Sequence, residues 1–414
     1  MRPSAIQPSL HLAEVRYEIR GALARHARAL EAAGHDVLKL NIGNPGRFGF
    51  RAPAHLTAAI TAHLADSDAY CHEQGLESAR AAILAQQRAR GVDADGIERV
   101  FIGNGVSELI DLSLRAMLNP GDEVLLPAPD YPLWSAATIL NDGTPRYYAC
   151  RAARAHLPDP DEIESLCGPR TRAIVLINPN NPTGACYPRA LLERIAGIAA
   201  LRGLLLFSDE IYDHVRYDDA PFTPLASLTG GLPCVTFAGL SKVHRACGFR
   251  IGWATLSGRG EHVEAYRDAL QLLAALRLCA NVPAQWAIEP ALAGLDTISV
   301  LTAPGGRLHE ARRAVLEGVA RSRFLECVAP EGALYAFPAV RAGVLPDFDD
   351  NEFALRLLDE EHALVVPGSS FNLADSRHFR ITLLPEPAQI ADVFARIERV
   401  LGRMAEEQPT ARVA

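Results

Sequence analysis

Between residues 100 and 255, the apolar runs DEVLLPAP, TRAIVLINP, GLLLFSDE, PCVTFAGLS and RIGWATL alternate with segments long enough to form helices. No other feature constrains the fold as tightly. Continuous apolar runs read as strands buried on both faces, and strands joined by helix-length connections pair in parallel, with helices covering both sides of the sheet. GVSELIDLSLRAML and PRALLERIAGIAALRG have the helical spacing of apolar residues, and the second opens on Pro188 and closes on Gly203. Ligands of such α/β sheets sit beyond the carboxyl ends of the strands. Asn178 to Gly184, Asp209 to Tyr212 and Gly239 to Lys242 each follow an apolar run, so these polar stretches are expected to converge on one edge of the sheet.

After Pro304 the pattern changes. RLHEARRAVLEGVARSR is helical, GALYAFP and HFRITLLP are strand-like, and a last helix runs through PAQIADVFARIERVLGRM. This reads as a smaller α+β domain over residues 305–414, beside a large domain over 51–304, with residues 1–50 as an arm packed against the small domain. A chain of 414 residues, 49% hydrophobic, exceeds the size at which one core stops growing. There is no internal repeat and no low-complexity linker.

The formal charge of −8, with no basic run interleaved with aromatic residues, disfavours nucleic acids and anionic membranes as partners. Small metabolites fit better. The first residues hold no apolar core of signal-peptide length, and no apolar run is long enough to span a bilayer, so a cytoplasmic location is expected. The eight cysteines lack CxxC or His-paired spacing, which suggests neither a metal site nor a disulfide framework and leaves buried free thiols as the expectation.

The basic residues carry a second signal. Of 41 Lys+Arg, only Lys39 and Lys242 are lysines. Arginine stays protonated in proteins, whereas a lysine amine can lose its proton when desolvated or set near other cations, and can then act as nucleophile or base. Lys39, in VLKLNIG, fits the polar side of a short strand. Lys242, in GLSKVHRACGFR, sits among small residues with Arg250 downstream and Ser241 beside it.

Other stretches complete a pattern around that amine. In FIGNGVSELIDL, Gly103 and Gly105 lead into a helix whose exposed N–H groups, with Ser107, would bind an anion, although glycine before a helix is also an ordinary turn. Asn181 projects a neutral amide from the rigid turn INPNNPTG, which could equally be purely structural. Asp209 ends a very apolar strand, where desolvation raises a carboxyl pKa and a nearby cation would hold it ionised; a helix cap is the alternative. An amine, an anion cradle, a carboxylate in need of a cation, and Asn181 and Tyr212 able to hydrogen-bond a phenolate together describe a pyridoxal 5′-phosphate site.

The ordered set GNG, PAPDYPLW, NPNNPTG, SDEIY, SK followed by GFR, and a late FRI resembles the fold-type-I aminotransferases related to aspartate aminotransferase. Within them, YEIRG, LNIGNP, IGNGVSELI, RLCANVPAQ and GALYAFP resemble the bacterial glutamate–pyruvate (alanine) aminotransferases, over Leu12 to Leu401. The resemblance implies that Lys242 carries the cofactor covalently and, once released, moves a proton between substrate and cofactor. Asp209 would pair with the pyridine nitrogen, Asn181 and Tyr212 would hydrogen-bond the ring oxygen, and Tyr131 would stack on the ring. Gly105, Val106, Ser107, Ser241 and Arg250 would hold the phosphate, with Tyr70 reaching in from a second subunit, which makes the enzyme a homodimer with shared active sites.

On the substrate side, Arg380 would grip the α-carboxylate, Asn181 would also contact the substrate, and Gly43 would allow close approach to the backbone. Tyr17 and Arg20 are further candidates, for which a solvated helix face is an equal explanation. Two departures stand out: Gly239 replaces a serine of the aspartate enzymes, and His244 replaces an aromatic residue of the alanine enzymes. The implied activity is amino transfer between L-alanine and 2-oxoglutarate by a ping-pong mechanism. Alternatives are an aminotransferase for another small or aliphatic amino acid or a biosynthetic oxo acid, and a β-lyase. A ligand-sensing domain of a transcription regulator would need an added DNA-binding domain, and the resemblance already starts near Leu12.

Overall fold

The computed structural model describes residues 6–17, 19, 21–294, 296–374 and 376–407. A seven-stranded sheet is built from β1 (Val100–Gly103), β2 (Glu123–Ala128), β3 (Thr144–Ala149), β4 (Thr171–Ile177), β5 (Leu205–Asp209), β6 (Cys234–Gly239) and β7 (Gly252–Ser257). Its spatial order is β1-β7-β6-β5-β4-β2-β3. Only β7 runs against its neighbours, β1 and β6; the other pairs are parallel. The apolar runs of the sequence become β2, β4, β5, β6 and β7. No extended run marks the other two, because β1 is four residues long and β3 is an edge strand that alternates in exposure.

Successive side chains of a strand point to opposite faces, and the central strands are apolar on both. Val175, Ile177, Phe207, Val235 and Phe237 pack on one face with Leu109, Ile110 and Val263 of the helices Val106–Arg115 and Glu261–Leu276. Ile174, Leu176, Leu206 and Ala238 pack on the other with Ile83, Leu192 and Ile195 of the helices Glu77–Ala89 and Arg189–Arg202. Gly203 ends the latter helix in the left-handed conformation, φ 65°, as its position in the sequence suggests.

A third core lies beyond the strand ends. Leu40 and Phe50 from the arm join Leu308, Val315, Phe353, Phe379, Val393 and Leu401, while Tyr212, Val215 and Val243 reach in from the sheet. Its helices are Arg307–Arg321, Asp350–Glu361 and Pro387–Glu407, and its three-stranded sheet pairs Phe379–Thr382 antiparallel with Tyr335–Ala336 and Val366–Pro367. The arm is tied in by Leu38–Lys39, which pairs in parallel with Ala363–Leu364.

Gly239 has a packing explanation. It pairs with Gly252, and a Cβ on Gly239 would lie 2.8 Å from the Ile251 carbonyl oxygen, while one on Gly252 would lie 2.6 Å from the Val106 nitrogen. Backbone meets backbone there, so a serine does not fit. The expectation of buried thiols holds only in part: Cys150, Cys186 and Cys234 are buried, but Cys71, Cys167, Cys247, Cys279 and Cys327 are partly exposed.

Candidate active site

A cavity of about 660 Å³ opens where the carboxyl ends of β4, β5 and β6 meet the third core. Asn181, Asp209, Tyr212, Ser241 and Lys242 enter it from the turns after these strands, Val106 and Ser107 from a helix start, Tyr17 and Gly43 from the arm, and Tyr335 and Arg380 from the small antiparallel sheet. The three polar stretches of the sequence do converge.

The two lysines part company here. The Lys39 side chain is 41% exposed, and its Nζ lies 2.6 Å from Glu31 Oε2. Lys242 is half-buried, donates to the Gly43 carbonyl oxygen at 2.7 Å, and has no acidic ion-pair partner among the described residues. Asp209 lies fully enclosed on the cavity wall. Burial raises its pKa to about 6, against hydrogen bonds from Trp134 Nε1 and the Ile211 N–H, both at 3.3 Å, and against the Lys242 charge. Such a carboxyl group is ready to receive a cation.

Arg380 is 1% exposed. It donates from Nη1 to Asn181 Oδ1 at 2.9 Å and from Nη2 to the Asn41 carbonyl, and its guanidinium lies 4.2 Å from the Tyr335 ring centroid and 4.9 Å from that of Phe371. Among the described residues no carboxylate pairs with it. A buried cation without a counter-ion is costly unless an anion completes it.

The helix Val106–Arg115 presents its first N–H groups beside Arg250, which donates to the Cys247 and Asn104 carbonyls at 3.0 and 3.1 Å. Gly105 has φ 90°, and a Cβ there would lie 2.3 Å from Arg250 Nη2, so conformation and space both demand glycine. A helix start next to a fixed cation is a site for a multiply charged anion.

Tyr335 connects the two halves. Its hydroxyl accepts from Tyr212 Oη at 3.3 Å and fills the space beside Gly43, where a Cβ would lie 2.2 Å away. Burial raises the Tyr335 hydroxyl, but the Lys242 and Arg380 charges, with hydrogen bonds from Tyr212 and Gly43, outweigh it and hold it below the ordinary tyrosine value. Burial instead pushes Tyr212 well above that value, as suits the donor of the pair.

Gly43, Val106, Ser107, Tyr131, Asn181, Asp209, Tyr212, Ser241, Lys242, Arg250, Arg380 and Tyr17 thus line one cavity, with the Tyr17 and Tyr131 hydroxyls 3.5 Å apart. Gly105 stands behind Arg250 without lining it. Tyr70 is 77% exposed and lies off the cavity of its own chain. Arg20 lies outside the described residues. His244 faces away, into a separate cavity of about 180 Å³, where burial lowers its pKa to about 4 and Nε2 lies 3.2 Å from the Ala291 carbonyl oxygen. Sequence reasoning missed Trp134 and Tyr335. Trp134 belongs to the same PAPDYPLW stretch as Tyr131, but nothing local distinguishes Tyr335 from an ordinary strand aromatic.

An enclosed amine that shares a cavity with an unneutralised arginine, at the strand ends of a doubly covered sheet, defines an enzyme for amino or oxo acids. The chain belongs to the aminotransferase class I and II family, whose model matches residues 35–397. It is 46% identical over 399 residues to the glutamate-pyruvate aminotransferase AlaA of Escherichia coli K12, covering 96% of this chain and 98% of that protein. It is 44% identical over 401 residues to an alanine aminotransferase of Mycobacterium bovis, covering 97% and 94%. A crystal structure of an Escherichia coli aminotransferase superposes with a TM-score of 0.94 at 46% identity, over 96% of this chain and 99% of that one. The fold is that of the aspartate aminotransferase-like, fold-type-I enzymes.

Proposed function

We infer that this aminotransferase uses pyridoxal 5′-phosphate to move an amino group between L-alanine and 2-oxoglutarate, forming pyruvate and L-glutamate in a ping-pong cycle. The observation that carries this reading is the buried, unneutralised Arg380 sharing a cavity with the amine of Lys242. The residues fit the cofactor: the helix start with Ser107, Ser241 and Arg250 suits a phosphate, and the raised Asp209 carboxyl suits a protonated ring nitrogen. When bound, the cofactor supplies an electron sink for the substrate α-carbon.

The chain's own groups do the rest. Arg380 fixes the substrate carboxylate by a bidentate pair, which orients the α-carbon toward Lys242. Lys242 would anchor the cofactor and, once free, would take and return the proton at that carbon. With the cofactor bound, Asp209 would keep the ring nitrogen cationic, Asn181 and Tyr212 would hydrogen-bond the ring oxygen, and Tyr131 would cover the ring. Gly43 leaves room for the substrate against the backbone, and Tyr17 borders the same space.

The exposure of Tyr70, together with Ile6, Leu10 and Leu12 at 99, 87 and 52%, supports a homodimer in which Tyr70 contacts the phosphate of the other subunit. The same reading divides the chain into an arm (1–50), a cofactor-binding domain (51–304) and a small domain (305–414), and places the enzyme in the cytoplasm. No helix among the described residues is long and apolar enough to cross a membrane. The test is the absorption spectrum of the purified enzyme during titration with L-alanine and, separately, L-glutamate. Conversion of the yellow form by both, reversed by pyruvate and by 2-oxoglutarate, is the expected result. Conversion by glutamate alone would move the second substrate to another amino acid.

A further inference from the structure

Tyr335, 3% exposed, stands between the carboxylate-binding and cofactor-binding ends of the cavity. The small sheet puts it there. Tyr335 pairs with Thr382, and Arg380, two residues earlier on that strand, projects from the same face, so its guanidinium lies 4.2 Å from the Tyr335 ring centroid. The ring meets that of Tyr212 edge to face, 6.0 Å between centroids at 79°, and the two hydroxyls lie 3.3 Å apart. Gly43 stands on the other side. Its carbonyl oxygen accepts from Lys242, and a β-carbon there would lie 2.2 Å from the Tyr335 hydroxyl.

Proton counting gives the tyrosine pair a consequence. A phenolic hydroxyl carries one proton, and in this structure Tyr212 donates its own to Tyr335. If Tyr212 turns that proton to a ring oxygen, the contact between the tyrosines survives only when Tyr335 becomes the donor. Otherwise two buried oxygens would face each other lone pair to lone pair. The surroundings favour the reversal. Burial raises the Tyr335 hydroxyl, and the charges of Lys242, after β6, and of Arg380 more than offset it; Tyr212, after β5, and Tyr131 share the cavity with it. A substrate carboxylate on Arg380 cancels one of the two charges, so Tyr335 holds its proton more firmly as the site fills.

We propose that Tyr335 is a positioning residue whose hydroxyl donates to Tyr212 and aims the Tyr212 proton at the cofactor's ring oxygen, while its ring supports the Arg380 fork. The proposal rests on the reading of Lys242 and Tyr212 as parts of a pyridoxal 5′-phosphate site. Hydrogen bonds in a chain polarise one another, so Tyr212 is a stronger donor with Tyr335 behind it. A stronger donor draws negative charge from the ring oxygen and loosens the proton held between that oxygen and the Lys242 nitrogen. Without the Tyr335 hydroxyl that proton is held to higher pH.

Tyr335→Phe keeps the ring and removes the hydroxyl. In the cofactor-loaded protein, the pH at which the yellow absorbance titrates should rise by about half a unit, the size of one ordinary hydrogen bond. The apoprotein should bind pyridoxal 5′-phosphate about threefold more weakly, and kcat for L-alanine should fall about threefold with KM nearly unchanged. Tyr335→Leu, which also removes the ring beneath Arg380, should raise KM about fivefold. A cycle with Tyr212→Phe separates positioning from mere packing: once the Tyr212 hydroxyl is gone, Tyr335→Phe should move the titration no further. An unmoved titration in Tyr335→Phe, or shifts that add across the cycle, would overturn the proposal while leaving the cofactor reading intact. A wild-type protein that never turns yellow with pyridoxal 5′-phosphate would sink that reading and this role with it, so the two failures are told apart before any variant is made.

Discussion

Two groups of cations show how differently one charge can be used in this chain. On the outer face of the third core, Arg399 and Arg403 both clasp Glu361, at 2.6 and 2.9 Å, and hold its carboxyl down to about 2. At the strand ends, Lys242 and Arg380 have no carboxylate ion-pair partner among the described residues, and the enclosed Asp209 is pushed up to about 6. The surface cluster is saturated by its own chain, whereas the cavity is left electrostatically incomplete. Incompleteness of that kind is poor for stability and good for binding.

The sharpest way to break this contrast is to exchange the amines. Lys242→Arg keeps the charge and should lower turnover by about 10³-fold or more, with loss of the yellow absorbance, whereas Lys39→Arg should change neither. Retained activity in the first would remove the distinction between the lysines. Next in size, Arg380→Lys keeps a cation but loses the fork, and kcat/KM for alanine should fall by about 10²-fold. Arg403→Lys, measured beside it, should leave kcat/KM as it was.

Protonation gives the next comparison. The Asp209 pKa in the cofactor-free fold lies above its unfolded value of about 3.9, so the fold binds more protons between about pH 4 and pH 6 and loses stability as pH rises through that window. Burial raises Asp130 and Glu210 to about 7, with the same sign, so the effect is read as a difference. In urea unfolding of the apo protein, Asp209→Asn should flatten the decline by roughly 3 kcal/mol, and an unchanged slope would deny Asp209 its raised pKa. Glu361 works in the opposite sense: its stabilisation is present above about pH 4.5 and is lost as pH falls toward 2. Being solvent-screened, Glu361→Gln should cost under about 1 kcal/mol at neutral pH, and a larger loss would show the outer cluster to be more than a surface ion pair.

Much of this was legible in the chain. A strand buried on both faces has to be apolar throughout, so the polar residue at its exit is conspicuous; Asn178, Asp209 and Ser241 all stand at such exits. Rarity exposed Lys242 in the same way. What stayed hidden depends on distant pairing. Tyr335 meets Tyr212 across 123 positions, and its own two-residue strand carries no periodicity to read. Trp134 supports Asp209 from the helix Leu133–Leu140, which carries no charged residue to mark one face as the one turned to a site. His244 occupies a site next to the lysine in sequence, yet the chain turns so that it points into another cavity. Tyr70 was named only through the resemblance, and in this chain it stands 77% exposed, off the cavity.

Gly239, Gly252 and Gly105 stand in file from the strand that leads to Lys242, through its neighbour, to the helix start beside Arg250. Between Gly239 and Gly252 the spacing is set by main chain against main chain, and at Gly105 by main chain against the Arg250 guanidinium, so none of the three positions has room for a β-carbon. The dimension that matters for chemistry is thereby insulated from the apolar cores on either face of the sheet. Repacking those cores leaves the gauge between amine and anion cradle in place, because glycine puts no side chain of its own into the file.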